Sequence, residues 1–521
     1  MRKKNLMALL TAAAVAATTI MGGAMVTWAE EEEVVEEGGE ESADDGETAE
    51  IKVALMCLTT MDSSATDHVE EALNEMLLEK INVQADITWY DATTYMTQVP
   101  MSLQAGETVD LIMFTPMPGA SYQSFRSQNQ LMDITEYVDE YGPDIKEVMG
   151  DYLDATTVDG SLYGVGNMVS LYASEILFMR KDVLDDLGLT EKAENMESWA
   201  ELKEILEEVV ANTDLKGMAN ADAEGSVISS QPYLNPGDTF ADSYGVDVVG
   251  DSYQYIYADP ETDEIKCYFF NDDWYKNMEI VKDYYDAGLI YKDAATATEY
   301  GDNQIKNGVS FAMVKGSEEG AKGSSEAATG YELVTKEITT GLVSTGAFQK
   351  FGFAVPVTAE EPEAAIKFLN LLFSDAEVLD TLTWGVEGVD YEVNDDGTLT
   401  YPEGVTADTV TYHTADFLYG DRLLVTPWEG EGADIREKQA ASNETAEKSK
   451  YFGFTVDSTD VSTEYAACKN VIDQYKPLLS SGSEDDLEST YEQFKSELEA
   501  AGIQTIIDTY QAQLDEWLAQ Q

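Results

Sequence analysis

The residues able to do chemistry are few in kind. Two histidines, His68 and His413, and three cysteines, Cys57, Cys267 and Cys468, stand in a chain of 521 residues. That leaves little material for imidazole catalysis or His-based metal sites. The sparse, odd cysteine count gives neither a disulfide framework nor a paired Cys-x-x-Cys knuckle. Neither histidine has a Gly-x-Ser-x-Gly or His-Glu-x-x-His context, and no Gly-x-x-x-x-Gly-Lys-Ser/Thr loop is present to cradle phosphates. Carboxylates are the opposite case, with 101 Asp and Glu. A glycoside hydrolase needs two of them at a fixed separation, one with a raised pKa, and no pair stands out. Asn220-x-Asp222-x-Glu224-Gly225 partly mimics a calcium loop, but its twelfth position is Gln231 instead of a bidentate Glu. No metal or other cofactor is expected, and no enzyme.

What remains is non-covalent chemistry in loops at strand ends, where rings can stack and hydroxyls, carboxylates or amines can hydrogen-bond. Thr59, Thr60 and Asp62 follow the first predicted strand; Thr115 follows the third, with Tyr122 close behind. Lys315 follows Val314, Trp384 and Glu387 share a Trp-Gly-Val-Glu-Gly loop, and Trp428 follows Pro427. Each has a plainer reading. A Trp is more often core than platform, and Trp199, on a capped helix, reads as core. Thr59 and Asp62 can cap the next helix, and Lys315 can pair with a carboxylate.

The elements that must position these residues read as alternating strands and helices. Ile51-Lys52-Val53-Ala54-Leu55-Met56-Cys57 is a buried strand, and a helix runs over 67–80. Val83, Ala85, Ile87 and Trp89 alternate as a second strand, a helix with Pro100 inside reaches Ala105, and 109–114 is a third strand. This order argues for mostly parallel sheet with helices on both faces. The pattern recurs with strands at 175–179, 309–314 and 351–356, and a capping box Ser198-Trp199-Ala200-Glu201 opening a helix. Residues 253–257 and 265–270 read as a hairpin, and Ile503, Ile506, Tyr510, Leu514 and Trp517 share one face of a terminal helix. Two such α/β blocks suggest two lobes with a ligand cleft at facing strand ends.

Composition bounds the partners. With 30 Lys and Arg the formal net charge is −71, which disfavours nucleic acid and anionic membranes. Hydrophobic residues at 44% suffice for large cores. Arg2, Lys3 and Lys4, an uncharged Ala/Leu/Met/Thr-rich run over 5–26, and Thr27-Trp28-Ala29 read as a signal peptide over 1–29; an uncleaved anchor is the rival. Residues 30–50, with 12 acidic residues in 21, read as a disordered tether.

Several stretches resemble one family. Leu103-Gln104-Ala105-Gly106-Glu107-Thr108-Val109-Asp110-Leu111-Ile112, Leu131-Met132-Asp133-Ile134-Thr135-Glu136-Tyr137-Val138 and Asp159-Gly160-Ser161-Leu162-Tyr163-Gly164-Val165 resemble motifs of extracellular solute-binding proteins of carbohydrate-type ABC importers. So does the run from Arg180-Lys181-Asp182 to Trp199. Tyr284-Tyr285-Asp286-Ala287-Gly288-Leu289-Ile290, Trp384-Gly385-Val386-Glu387-Gly388 and the stretch from Tyr451 to Trp517 resemble the LplA-like subgroup, with its extra C-terminal helical domain. The resemblance implies a two-lobed, periplasmic-binding-protein-like (type II) fold with a hinged cleft. Lobe one would hold 50–167 and 347–412, and lobe two 168–346 and 413–521. Gly164 to Met168 and Gly341 to Ala347 would be the crossings, with Tyr172 just past the first. It implies capture of an oligosaccharide and its delivery to a membrane permease by an exported monomer. Trp and Tyr platforms and the polar groups named above would grip a sugar. No cysteine follows the signal peptide for lipid attachment. A peptide or amino-acid ligand, met by Lys315 or Arg180, is the alternative in this fold; a secreted hydrolase is the alternative in another class.

Overall fold

Apolar β-branched runs bounded by polar loops build two separate sheets. The protein is described here as a computed structural model covering residues 46 and 48–521, except 59–62, 118, 172–173, 223–224, 230–231, 251–255 and 408; of 63–65 only the backbone is described. The expected signal peptide and nearly all of the tether lie outside these residues, as do Thr59, Thr60, Asp62 and Tyr172.

The first sheet contains β1 (Ala49–Cys57), β2 (Val83–Asp91), β3 (Leu111–Phe114), β4 (Val165–Gly166) and a short strand Gly352–Ala354, which becomes β9 below. Its order is β2-β1-β3-β9-β4. Strands β1, β2 and β3 run parallel, joined through helices α1 (Ser63–Ile81) and α2 (Ala92–Ala105). Asp91 caps α2 by accepting the Thr94 amide at 3.0 Å. The second sheet holds β5 (Ser174–Arg180), β6 (Lys216–Met218), β7 (Ser310–Ser317) and β8 (Leu333–Thr339), in the order β8-β5-β7-β6. Helix α3 (Trp199–Asn212) packs on it, capped by Ser198, which accepts the Glu201 amide at 3.3 Å. The Glu201 carboxylate accepts from Glu197 rather than from Ser198, so only half of the expected box forms.

Both sheets are mixed, where mostly parallel strands were expected. β9 is antiparallel to β3, and β5 is antiparallel to β7 and β8. The reason is topological. β9 and β5 are each the first strand after a passage between the sheets, so each starts at the facing edge and runs away from it.

Three cores follow. The first surrounds β1, β3 and β9 and includes Phe368 and Leu382, but also Tyr412, Leu418, Tyr419 and Val425. The second joins β5 and β7 to α3 through Leu177, Phe311, Leu202 and Leu206. The third is C-terminal. Helices α4 (Asp272–Asp286), α7 (Ser462–Ser481), α8 (Leu487–Ala501) and α9 (Ile503–Leu518) enclose Trp274, Leu479, Phe494, Ile506 and Tyr510. This core includes the antiparallel hairpin Ile256–Asp259 with Glu264–Cys267. In the turn between α7 and α8, Glu484 is only 6% exposed and its carboxylate oxygens have no hydrogen-bond partner among the described residues. Helices α5 (Ala376–Trp384) and α6 (Ile435–Asn443) belong to the site described next. No helix among the described residues is long and apolar enough to cross a membrane.

Candidate functional site

Strand register places the site. β9 begins at Gly352, opposite both Phe114 at the end of β3 and Gly166 at the end of β4. Ser317, at the end of β7, pairs with Ser174, at the start of β5, and β8 ends with Thr339 opposite Glu175. The chain passes from Gly166 to Ser174 and from Thr339 to Gly352. Both passages therefore join one edge of the first sheet to one edge of the second, and those edges face each other. In open α/β sheets this is where ligands bind.

The passages are tightly built. The Asn167 amide donates to the Phe351 carbonyl at 2.9 Å, and its side-chain NH2 donates to the Phe417 carbonyl at 3.0 Å. Asn443 of α6 clamps the same segment, accepting the Leu171 amide at 2.6 Å and donating to the Val169 carbonyl at 2.9 Å. A third passage runs alongside, since Glu447–Lys448 pairs in parallel with Leu342–Val343. Glycine is required here for close approach. A Cβ on Gly166 would lie 2.4 Å from the Phe348 carbonyl oxygen, and one on Gly352 would lie 2.3 Å from that of Val165.

Beside the passages lies an ionic chain. Arg422, buried, donates to Glu318 just past β7 and, at 2.8 Å, to Asp416. Asp416 also accepts from Arg436 of α6 at 2.7 Å, and Arg436 reaches Glu431 at 3.4 Å. Burial works against the Arg422 charge, but Asp416 and Glu318 together outweigh it and hold its pKa above the ordinary value. The pairing of Arg422 with Glu318 links a residue bridged to the first passage, through the Arg422 amide on the Met168 carbonyl, to the end of the second sheet.

An aromatic cluster continues from this chain. Trp428 lies 5.1 Å from Trp384, 4.7 Å from Tyr401 and 4.6 Å from His413, ring centre to ring centre. Trp384 is buried and its indole N–H donates to the Thr426 carbonyl at 3.0 Å, while Trp428, Tyr401 and His413 are half-buried. Burial pushes the His413 pKa down to about 4, against the pull of Asp416 and Asp390, so its ring is neutral at pH 7.

The predicted residues divide accordingly. Trp384 and Trp428 are brought together, but only Trp428 keeps an accessible ring. Glu387 is exposed in the adjoining turn, where it bridges Tyr391. Three others serve packing or local bonding. Tyr122 is fully buried, with its hydroxyl donating to the Thr156 carbonyl at 2.8 Å. Thr115 is fully buried and accepts the Met117 amide at 3.2 Å. Lys315 is tied to Asp302 at 2.9 Å and Ser325 at 3.3 Å, under helices Gly301–Lys306 and Ala321–Thr329. Arg180 is likewise engaged, by Asp182 at 2.5 Å. The partial calcium loop has its Asp222 accepting the Ser226 amide and facing the Lys476 ammonium at 4.0 Å; Glu224 and Gln231 lie outside the described residues. Among the described residues no three His, Cys, Asp or Glu converge as metal ligands. Sequence reasoning missed Asn167, Glu318, Lys350, Phe351, Phe417, Arg422 and Tyr401. Only Lys350 carried a signal, as a rare cation at a strand start.

Known proteins match this arrangement. Residues 73–400 match the model for bacterial extracellular solute-binding proteins, and residues 450–519 match a domain of unknown function, DUF3502. A carbohydrate ABC transporter substrate-binding protein of Streptococcus pneumoniae is 21% identical over 496 residues, 92% of each chain. The polygalacturonan/rhamnogalacturonan-binding protein YtcQ of Bacillus subtilis is 22% identical over 385 residues, 70% of this chain and 72% of that one. The crystal structure of the N-glycan transport solute binding protein NgtS from Streptococcus pneumoniae superposes with a TM-score of 0.76 at 18% identity, covering 90% of this chain and 99% of that one. The fold is thus the two-lobed, periplasmic-binding-protein-like one with a helical C-terminal extension. With a model match over residues 73–400 and this architecture, the chain belongs to the bacterial extracellular solute-binding proteins, and it binds rather than transforms its solute.

Proposed function

We propose that this protein captures an oligosaccharide in the groove between the two sheet edges and delivers it to the membrane permease of an ABC importer. The observation that carries this reading is the two passages joining one edge of each sheet, with a half-exposed Trp428, Tyr401 and His413 cluster beside them. Aromatic faces suit the C–H surfaces of sugar rings, and the polar rim suits their hydroxyls. The names of the relatives from Streptococcus pneumoniae and Bacillus subtilis, which point to carbohydrate ligands, support the same class. Lobe one holds 50–167 and 347–412 and lobe two 168–346 and 413–521 in this reading; the packing of Leu418, Tyr419 and Val425 into the first core favours moving the second boundary toward 425. The motifs around Tyr284, Trp384 and Tyr451 are the ground for reading the chain as an LplA-like member, with helices α7, α8 and α9 as its added domain. The protein acts as a monomer, with no nucleic-acid partner.

A thermal-shift screen of mono- and oligosaccharides, followed by chromatography of the incubated sugars, tests this. The expected result is a rise in melting temperature with an intact glycan. A response only to peptides or amino acids would favour the alternative ligand, and glycan cleavage would favour a hydrolase.

A further inference from the structure

Lys350 lies near the end of the second passage and immediately precedes Phe351, whose carbonyl holds the Asn167 amide of the first. Its side chain is exposed, yet desolvation lowers its pKa, against the opposing pull of Glu318. Both facts hold for a side chain that water reaches but protein flanks, and Lys350 lies two residues before Gly352, at the edge where β9 pairs with Gly166. Glu318 directly follows β7 of the facing sheet, and no carboxylate comes within the 4.0 Å of an ion pair to Lys350 among the described residues. Other cations nearby are already satisfied. Arg422 is held by Asp416 and Glu318, Arg436 by Asp416 and Glu431, and Lys315 by Asp302.

The surroundings of Lys350 suit a ring with polar substituents. Phe351 and Phe417 stand 5.5 Å apart, both half-buried. Asn167 Oδ1, Ser170 Oγ on the first passage and Ser317 Oγ at the facing edge are buried with no hydrogen-bond partner among the described residues. Such atoms cost free energy until a ligand or water completes them.

We propose that Lys350 is a specificity-determining residue of this groove, and that the solute it selects is an acidic glycan bearing a carboxylate on its sugar rings. The proposal rests on reading the groove as a glycan site. An uncompensated ammonium recovers most from an anionic partner, and a charge-assisted hydrogen bond there favours the acid over a neutral isostere by roughly ten- to a hundredfold. The net charge of −71 does not forbid this. Exposed charges are screened beyond about 8 Å at physiological ionic strength, so a ligand seated in the groove feels chiefly the groups that line it.

The test uses the mature chain in calorimetry against matched acid and neutral pairs: oligogalacturonate with its methyl ester, and sialyllactose with lactose, alongside a neutral oligosaccharide panel. An acid member should bind at least tenfold more tightly than its neutral partner and weaken with added salt. Lys350→Gln should abolish that preference with an unchanged melting temperature, and Lys350→Arg should retain most of it. Equal or tighter binding of the neutral member overturns the proposal, as does a preference that survives Lys350→Gln. If only neutral glycans bind, the proposal falls while the glycan reading stands; if no glycan binds, both fall.

Discussion

Replacing Glu484 by Gln should make the C-terminal helices less sensitive to pH. The carboxylate sits in the turn between α7 and α8, sealed from water, with both oxygens unpartnered among the described residues. From α4 it faces Lys282 and Asp286, and Asp485 and Asp486 follow it in its own turn. Burial is the main cause that raises its pKa from 4.5 to about 7, with its own backbone amide and then Lys282 opposing and Asp286 assisting. The unfolded chain thus releases this proton near pH 4.5, while the folded chain keeps it to near pH 7. Between those values the folded state binds more protons, so stability falls as pH rises, by up to about 1.4 kcal/mol per pH unit and about 3 kcal/mol in all. Gln cannot ionise. The variant should match the parent near pH 4 and exceed it by up to about 3 kcal/mol at pH 8. The assay is hydrogen exchange of α7, α8 and α9 amides from pH 5 to 8, corrected for intrinsic rates, which reads these helices alone. Parallel pH profiles in parent and variant would refute the reasoning.

Three further substitutions probe the site. Trp428→Ala should weaken sugar binding in calorimetry with little loss of melting temperature, whereas Trp384→Ala, deleting a buried ring with a bonded indole, should cost about 3–5 kcal/mol in urea unfolding. Gly352→Ala should lower the melting temperature, because its Cβ would meet the Val165 carbonyl oxygen at 2.3 Å and overpacking costs about 1–3 kcal/mol. Arg422→Ala leaves Glu318 unpaired and Asp416 with Arg436 alone, and should destabilise by about 3 kcal/mol or more in urea, with recovery when Glu318→Gln is added.

The sequence was most legible where one short segment decides the outcome. Ile51-Lys52-Val53 became part of an interior strand of a sheet, Ser198 capped its helix, and the apolar face of Ile503, Ile506, Tyr510 and Leu514 packed into a core. Strand direction was not legible, because β5 and β9 take theirs from passages between sheets that no local pattern encodes. The candidate site shows the same limit. Trp384 and Trp428 were found as loop aromatics, but which ring stays accessible depends on Thr426, Tyr401 and His413 folding around them. Tyr122 and Thr115 follow a strand end in sequence, yet β3 buries what comes directly after it, so local backbone bonds take up their polar atoms. Asn167, Glu318 and Arg422, which tie the passages together, are far apart in the chain, and only tertiary pairing joins them.

Hydrogen exchange of the sugar-saturated protein against the free protein tests the central claim most directly. Slowed exchange should concentrate in residues 164–171, 317–320 and 345–353, with a smaller effect around Trp428. Protection confined to other surfaces, with these three segments unchanged under saturating sugar, would contradict capture between the two sheet edges.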